Sequence, residues 1–288
     1  MKTISRSDLP EDYIYYRTGS KVFYEYYTQY SLKVTQRIGE WYEFFKAGRI
    51  FRDFYSIIFE KIDVHPTPEF LAQFGIKHGV VFWCPRRLME KPRWWFRLPQ
   101  FITKTLLHSS HSAFSLLDRS DYWNKWSPKS RAHRRKIQDL IKEKRLHIIE
   151  TKDTELFLDI YSHTDIPDPN KGQLTEWLKR SFAISLDDMR IYLAYVDGVA
   201  LAGAVFIDEG ATTEYFTSFY HHDSKIHHLG IALMDRWFSD SYEKWMKYCD
   251  FDHMYDGWHT SSTLWYTKFK SSLADYDVFF HDLWIKIF

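Results

Sequence analysis

The hydrophobic residues of the chain change their spacing in its last third. Residues 191–196 alternate along the chain, residues 199–207 follow as a return strand, and residues 212–220 are rich in β-favouring residues, which together predicts three successive β-strands. Asp197-Gly198 separates the first two segments and is typical of a two-residue hairpin turn. This region is therefore predicted to begin with a small sheet.

Helical spacing follows the third predicted strand. The pattern predicts an amphipathic helix at residues 226–248, a strand at 250–256, a helix at 261–272 and closing strands at 276–288. The order β-β-β-α-β-α-β is that of a mixed α/β domain. We therefore predict an α/β (α+β) fold in which helices flank a mixed sheet.

The first half of the chain has a less regular pattern. Apolar residues recur at spacings of three and four over residues 35–61, which predicts a long helix. A second helix is predicted at residues 127–145, where Ser127 suits the N-cap and Pro128 the first helical position. The remaining predictions are strands at 79–83, 112–117 and 146–150, a helix at 174–186 and a loop at 165–172.

Length and composition limit the class of protein. The 288 residues suit one large or two medium domains, and we predict a boundary near Arg145 that separates residues 1–145 from 146–288. Cys84 and Cys249 have no metal-ligand spacing and indicate a reducing compartment. No signal peptide or membrane-spanning segment is evident, so a cytoplasmic location is expected, with contact to a membrane surface left open.

Charge excludes a generally cationic or anionic protein. The formal net charge is only +1, so any polyanionic partner must be bound by a local basic patch. Aromatic residues make up 19% of the chain, which argues for an ordered, well-filled core.

A strand-to-helix joint carries the first chemical motif, His227-x-x-Gly230-x-Ala232. Small residues there allow backbone N–H groups to approach a phosphate, which the positive end of the helix dipole also attracts. The segment resembles the donor-binding loop of GNAT acyltransferases, with His in place of the usual Gln or Arg. The resemblance implies donor contacts from His227, His228, Leu229, Gly230, Ile231 and Ala232. A tightly packed helix start is the alternative.

Candidate acid and base residues flank that joint. The segment from Leu264 to Lys270 resembles the end of a GNAT domain, and Tyr266 then corresponds to the general acid. Glu214 on the third strand is the candidate general base, acting directly or through water. A core tyrosine and a surface glutamate are the alternatives.

The pleat of the third strand gives Glu214 a predicted orientation. Strict alternation would place Glu214, Phe216 and Ser218 on one face of the sheet. It would place Tyr215, Thr217 and Phe219 on the other face.

Two further segments resemble the FemAB-type branch of the GNAT superfamily. They are Phe269-Lys270-Ser-Ser and the basic stretch of residues 122–136. FemAB-type enzymes are tandem GNAT-like domains that move amino acids from aminoacyl-tRNA to peptidoglycan precursors, so the resemblance implies two GNAT-like halves. The candidate contacts to phosphate or substrate are Lys270, Arg131, Arg134 and Arg135, the three arginines being predicted on one helix face. A solvated helix face is the alternative.

A weaker similarity links Phe219-Tyr-x-x-Asp223 and Leu229-Gly230 to arginyl/leucyl-tRNA–protein transferases. The cysteine cluster of that group is missing from this chain.

Two other residue groups have structural explanations that we favour. The histidines 221, 222, 227 and 228, with His253, Asp256 and His259, offer metal-ligand types without a convincing third ligand, so no metal is expected. Trp94, Trp95 and Arg97 suit base stacking or a membrane interface, but covering the core of the first half is the favoured interpretation.

The resemblance implies an acyltransferase that moves an acyl or aminoacyl group to an amine by direct attack. The implied donor is acyl-CoA or aminoacyl-tRNA, and the acceptor is an amine on a peptide, an amino sugar or a small molecule. An acetyl-CoA-dependent N-acetyltransferase is the alternative within this class. A non-catalytic binding module with the same fold is the alternative outside it.

Overall fold

The structure is a computed structural model that describes the following residues: 1–5, 8–10, 12–13, 33–38, 42–49, 53–59, 67–72, 80–84, 94–98, 111–164, 171–221, 227–254, 261–279 and 284–287. Its contacts divide the chain into two compact units. Unit 1 comprises residues 1, 113–252 and 267–276, and unit 2 comprises 2–112, 253–266 and 277–288. The predicted division at Arg145 stays a prediction.

The strands are β1 (Lys2–Ser5), β2 (Lys33–Ile38), β3 (Tyr42–Arg49), β4 (Asp53–Phe59), β5 (Val80–Cys84), β6 (Phe96–Arg97), β7 (His111–Leu116), β8 (Leu146–Thr151), β9 (Met189–Val196), β10 (Val199–Glu209), β11 (Thr212–Tyr220), β12 (Tyr248–His253), β13 (Tyr276–Phe279) and β14 (Trp284–Ile287). The helices are α1 (Pro68–Ala72), α2 (Pro128–Lys142), α3 (Thr154–Ser162), α4 (Lys171–Ser185), α5 (Leu229–Glu243) and α6 (Ser261–Ser271). None of these helices has the length and apolar character needed to cross a bilayer.

Unit 1 is built on the strand order β7-β12-β11-β10-β9-β8. Strands β8 to β11 pair antiparallel, whereas β11 and β12 pair parallel through the crossover helix α5. Asp197 and Gly198 form the β9–β10 turn with positive φ angles of 49° and 85°, as their hairpin sequence predicted. The predicted mixed sheet flanked by helices is confirmed.

Helix α2 begins as its sequence predicted. The Ser127 hydroxyl accepts a hydrogen bond from the Ser130 N–H at 3.2 Å, and Pro128 occupies the first helical turn, where its missing N–H costs nothing. At the other end, Lys144 has a φ of 58° and the Arg145 N–H binds the Leu140 carbonyl. This left-handed cap ends the helix.

Aromatic side chains fill unit 1 on both faces of the sheet. On the α5 face, Trp237 is fully buried and stacks on Phe206 with centroids 4.5 Å apart. On the opposite face, Phe157 of α3 packs edge-on against Phe219 of β11. Gly203 of β10 lies against this pair, where a Cβ would come within 2.6 Å of the Phe219 ring, so only glycine fits. Helix α3 itself was not predicted from the sequence.

A β-bulge interrupts β11 at Phe216. Val205 lies opposite Thr217 and Phe206 lies opposite Tyr215, so Phe216 is the extra residue on β11. Its ring stacks on Trp177 of α4, with centroids 4.3 Å apart.

The bulge reverses the alternation of side chains along β11. Tyr215 contacts Phe206 and Trp237 on the α5 face, whereas Phe219 contacts Phe157 and Tyr161 of α3. The prediction that Tyr215 and Phe219 share a face is therefore wrong, because strict alternation ignores the inserted residue.

Unit 2 contains a six-stranded sheet of order β2-β3-β4-β5-β14-β6. Strands β2, β3 and β4 occupy residues 33–38, 42–49 and 53–59, so the long helix predicted at 35–61 is wrong. The segment has aromatic or β-branched residues at adjacent positions, and such residues favour strands. Their density also produces spacings of three and four by coincidence.

Candidate functional site

The parallel pairing of β11 with β12 covers only the first residues of β11. Thr212, Thr213 and Glu214 lie opposite Tyr248, Cys249 and Asp250. Just beyond this paired segment, β11 carries its bulge at Phe216, and β12 takes a left-handed turn at Asp252, whose φ is 57°. Both strands thus become irregular at the same level, which defines the strand junction of unit 1.

Two carboxylates lie side by side at the strand junction. Glu214 is 4% exposed and Asp250 is fully buried. Because they are register partners in a parallel pair, their side chains share one face of the sheet, opposite the face of Thr213 and Tyr215. Asp250 accepts a hydrogen bond from the Asp252 N–H at 2.7 Å. Buried carboxylates are costly to keep, which makes Glu214 a functional candidate.

Lys270 reaches the strand junction from the α5 face. The side chain is 6% exposed, so the solvent-facing alternative for this residue is wrong. Its Nζ lies 5.6 Å from the centroid of the Tyr215 ring, and the Tyr215 hydroxyl hydrogen-bonds to Ser218. A buried ammonium group can hold an anion or an oxygen that gains negative charge.

The predicted donor loop forms the start of α5. Leu229, Ile231 and Ala232 are buried and anchor the helix, whereas Gly230 is partly exposed. His228 occupies the N-cap with a left-handed φ of 55°, and its side chain makes no capping hydrogen bond. The first N–H groups of a helix have no intrahelical partner, so this end suits an anion.

Among the described residues, no atom would clash with a methyl group added at Gly230. A Cβ at this position would lie 3.5 Å from the Phe269 ring of α6, which is an ordinary contact. If residues 227–232 were only a tightly packed helix start, alanine would therefore fit at position 230 as well as glycine does.

A cleft of about 290 Å³ adjoins the N-terminal end of α5. It is lined by Lys136, Asp139, Leu140, Glu143, His227 and His228. Two carboxylates of α2 thus share the cleft with a cation and two imidazoles. The cleft therefore offers charged groups of both signs to a ligand.

His133 of α2 stacks on His228, with ring centroids 3.7 Å apart and planes 7° from parallel. Partial burial lowers the pKa of His133, and the nearby Lys129 and Lys136 lower it further. Burial is also the largest cause of the lowered pKa of His228, followed by the charges of His133 and the same lysines.

We expect this imidazole pair to make unit 1 less stable in mild acid. Since both folded-state pKa values are lowered, the unfolded chain takes up protons first, and stability is lost as the pH falls through about 6.5. The loss of stability ends once the pH lies below the pKa values of the two histidines in the folded state. A His133→Phe variant keeps a stacked ring without a charge, so its melting temperature should fall less between pH 7 and pH 5.

The control for this measurement is His147→Phe, which changes an exposed histidine of β8. That variant should follow the wild-type pH profile. If the melting temperature of His133→Phe falls between pH 7 and pH 5 as much as that of the wild type, the stacked histidines are not the source of the acid sensitivity.

The three arginines of the basic helix have different environments. Arg134 is mostly buried, binds the Asp235 carboxylate at 2.6 Å and lies 3.9 Å over the Trp123 ring. Arg131 is half-buried and donates to the Asn124 carbonyl, whereas Arg135 is exposed. They do not form one solvent-facing stripe, because Arg134 is held against α5.

The described contacts do not bring Tyr266 or most of the histidines to the strand junction. Tyr266 lies on α6, and 42% of it is exposed. His221 is half-buried after β11, whereas His222, Asp256 and His259 lie outside the described residues. In the described part of the chain, no three His, Cys, Asp or Glu side chains are placed to hold a metal ion.

Sequence reasoning missed three residues of these sites. Asp250 follows Cys249 within an apolar strand, and a carboxylate there is a signal of a buried polar site. His133 and Lys136 were seen only as part of a basic helix. Their proximity to His228 depends on how α2 packs against α5, and no local sequence pattern encodes that packing.

Comparison with known proteins gives matches in structure alone. No family model matches the sequence, and no curated protein is detectably similar to it. FemX matches with a TM-score of 0.68 at 10% identity, over 98% of this chain and 94% of FemX.

Two further structures show the same likeness. A conserved protein of unknown function from Bacteroides thetaiotaomicron has a TM-score of 0.59 at 12% identity, over 94% of this chain and 92% of that one. L-PGS from Bacillus licheniformis has a TM-score of 0.51 at 12% identity, over 93% and 87%. At such identities the likeness establishes the fold alone, and the chain has the FemX-like, GNAT-type fold that its motifs predicted.

Proposed function

We propose that the protein is an acyltransferase that moves an acyl or aminoacyl group to an amine at the strand junction. The observation that carries this proposal is the burial of Glu214 and Lys270 there, on opposite faces of the sheet. Burying a carboxylate and an ammonium group lowers the stability of the fold. Such groups are common at functional sites, where a carboxylate transfers protons and an ammonium group stabilises negative charge. The likeness in fold to FemX supports the same class of reaction.

The two faces of the junction suggest separate approaches for the two substrates. The donor approaches from the α5 face, where the helix N-terminus and Lys270 offer positive charge. The amine approaches from the opposite face, where Glu214 accepts its proton directly or through water. The amine nitrogen then bonds to the donor carbonyl carbon, and the bond to the leaving sulfur or oxygen breaks.

Lys270 and Tyr266 complete this proposal. The Lys270 ammonium group stabilises negative charge on the donor or on the carbonyl oxygen as the tetrahedral intermediate forms. The role of Tyr266 as general acid stays a prediction of the family resemblance. The N–H groups of Leu229 and Gly230 face the phosphate of the donor, because those of Ile231 and Ala232 already donate to the His228 carbonyl.

The donor is acyl-CoA or aminoacyl-tRNA, and the acceptor is an amine of a peptide, an amino sugar or a small molecule. Arg135 and Lys136 are exposed cations of α2, and Lys136 lines the cleft beside the start of α5, which favours tRNA as the donor. A cytoplasmic location belongs to the same proposal, because both donors are made there.

The first experiment is thermal melting of the full chain with acetyl-CoA, with CoA or with a mixture of charged tRNAs. A ligand at about 100 times its Kd should stabilise the protein by ~2.7 kcal/mol. A shift with tRNA that is lost in Arg135→Gln supports aminoacyl transfer. A shift with CoA species alone supports the acetyltransferase, which the Gly230-x-Ala232 loop favours, and no shift with either contradicts the proposed donor site.

Gly230→Ala is expected to separate stability from donor binding. The new methyl group meets Phe269 at an ordinary distance, and alanine in place of glycine inside a helix stabilises by up to about 1 kcal/mol. The same methyl group obstructs the approach of a phosphate to the backbone. The melting temperature without ligand should therefore hold or rise, while the shift induced by the donor becomes smaller.

Gly172→Ala is the matched control, because Gly172 is also the second residue of a 15-residue helix and has no atom within 4 Å of its added Cβ. This variant should keep the full donor-induced shift. If Gly230→Ala keeps it too, the loop does not hold the donor.

A further inference from the structure

Unit 2 holds two aromatic side chains out to solvent. Trp94 is 70% exposed and Phe96 is 67% exposed, whereas Trp95 between them is 2% exposed. The Lys286 Nζ lies 5.8 Å from the centroid of the buried Trp95 ring. Trp95 thus fixes the segment to the unit, and its two neighbours point outward.

Trp94 also has a backbone conformation that favours glycine. Its φ is 67°, in the left-handed region, where the Cβ of an ordinary residue is crowded. A bulky, solvent-exposed side chain at such a position contributes little to the core. It is therefore a candidate for contact with something outside the chain.

An apolar residue of β14 extends this surface. Ile285 is the register partner of Phe96, so Ile287, two residues further, shares the face of Phe96. Ile287 is 62% exposed. We call Trp94, Phe96 and Ile287 the aromatic edge, because β6 is the last strand in the described order of its sheet.

The sequence that leads into the aromatic edge is rich in positive charge. Arg97 is exposed next to Phe96. In the sequence, residues 86–97 contain five Lys or Arg and one Glu, a net charge of 5 − 1 = +4 in a chain whose formal net charge is +1. Exposed aromatic rings next to cations suit the headgroup level of a bilayer with anionic lipids, where the rings rest at the interface and the cations meet negative charge.

We propose that the aromatic edge docks the protein on an anionic lipid surface. The contact is peripheral and reversible, since it rests on a few side chains and on charge attraction. It does not involve Glu214 or Lys270, because the residues of the aromatic edge belong to unit 2 and those two residues belong to unit 1.

The test is cosedimentation of the full chain with vesicles of phosphatidylglycerol and phosphatidylcholine in equal parts, compared with pure phosphatidylcholine. We expect binding to the anionic vesicles that weakens as salt is added. The double change Trp94→Gly and Phe96→Ser should weaken it by about tenfold or more, which corresponds to ~1.4 kcal/mol. Trp94→Gly also relieves the left-handed conformation, so its melting temperature should not fall.

Trp245→Gly is the control, since Trp245 has a φ of 60° and is 89% exposed after α5 in unit 1. The same chemical change there should leave vesicle binding intact. The proposal is overturned if anionic vesicles are not bound, if neutral vesicles are bound equally well, or if Trp245→Gly weakens binding as much. Capture of a uridine oligonucleotide in place of vesicles would also overturn it, in favour of base stacking.

The vesicle test and the donor test can fail separately. The aromatic-edge variants should keep the melting shift induced by the donor in solution. A protein that binds vesicles without any donor shift would contradict only the transferase proposal.

Discussion

A Lys270→Met variant is expected to fold normally and to lose most of its transferase activity. Methionine has a similar volume and an unbranched chain, so it keeps the apolar packing of the buried side chain on α6. Without the ammonium group, negative charge at the strand junction is no longer stabilised, which typically lowers kcat by about 10²–10³-fold. The measurement is transfer of a radiolabelled acyl group, from acetyl-CoA or from charged tRNA, to a panel of amines.

Lys268→Met is the control for this prediction. Lys268 lies two residues earlier on the same helix and is exposed, so the variant should transfer at the wild-type rate. A Lys270→Met protein that is folded and fully active would show that the buried lysine has only a structural role. Melting curves of both variants separate a loss of activity from a loss of folding.

Replacing Arg190 with Met is expected to cause the largest loss of stability. Arg190 is 2% exposed, and its Nη2 donates to Asp208 at 2.6 Å, Thr213 at 2.8 Å and Ser241 at 2.7 Å. These partners belong to β10, β11 and α5, so one guanidinium group ties three elements to β9. Breaking a buried ion pair by removing one partner costs about 3–5 kcal/mol.

Arg236→Met provides the comparison for that loss. Arg236 also pairs with a carboxylate, Asp240 at 2.8 Å, but its side chain is 48% exposed. Exposed pairs contribute only about 0–1 kcal/mol, so this variant should unfold at nearly the wild-type urea concentration. Similar losses in both variants would mean that the Arg190 network is no stronger than a surface pair.

Sequence patterns were most reliable where local chemistry decides the structure. The Asp197-Gly198 turn and the Ser127 cap depend on residues next to each other, and both are found as predicted. The described strands and helices between residues 190 and 279 also have the predicted order and type, since turn signals separate the first strands and helical spacing marks α5. The family motifs at residues 227–232 and 264–270 then indicated the fold.

The failures have a different cause, which is tertiary packing. Over residues 35–61 the apolar side chains are so dense that helical and strand periods fit equally well. The bulge at Phe216 has no marker such as glycine, so strict alternation misplaced the far end of β11. Pairing with Asp235 turned Arg134 away from solvent, and a helix viewed alone offers no sign of that partner.

The strand order of unit 2 has a consequence for biosynthesis. Strand β14, residues Trp284–Ile287, lies between β5 and β6, two strands made some 190 to 200 residues earlier. The sheet cannot close until this late segment has left the ribosome, although most domains fold from the N-terminus as they emerge. Pairing over such sequence separations is also slow. The nascent chain therefore has an open gap in this sheet until residues 284–287 emerge, a period in which chaperones have access to its apolar strands.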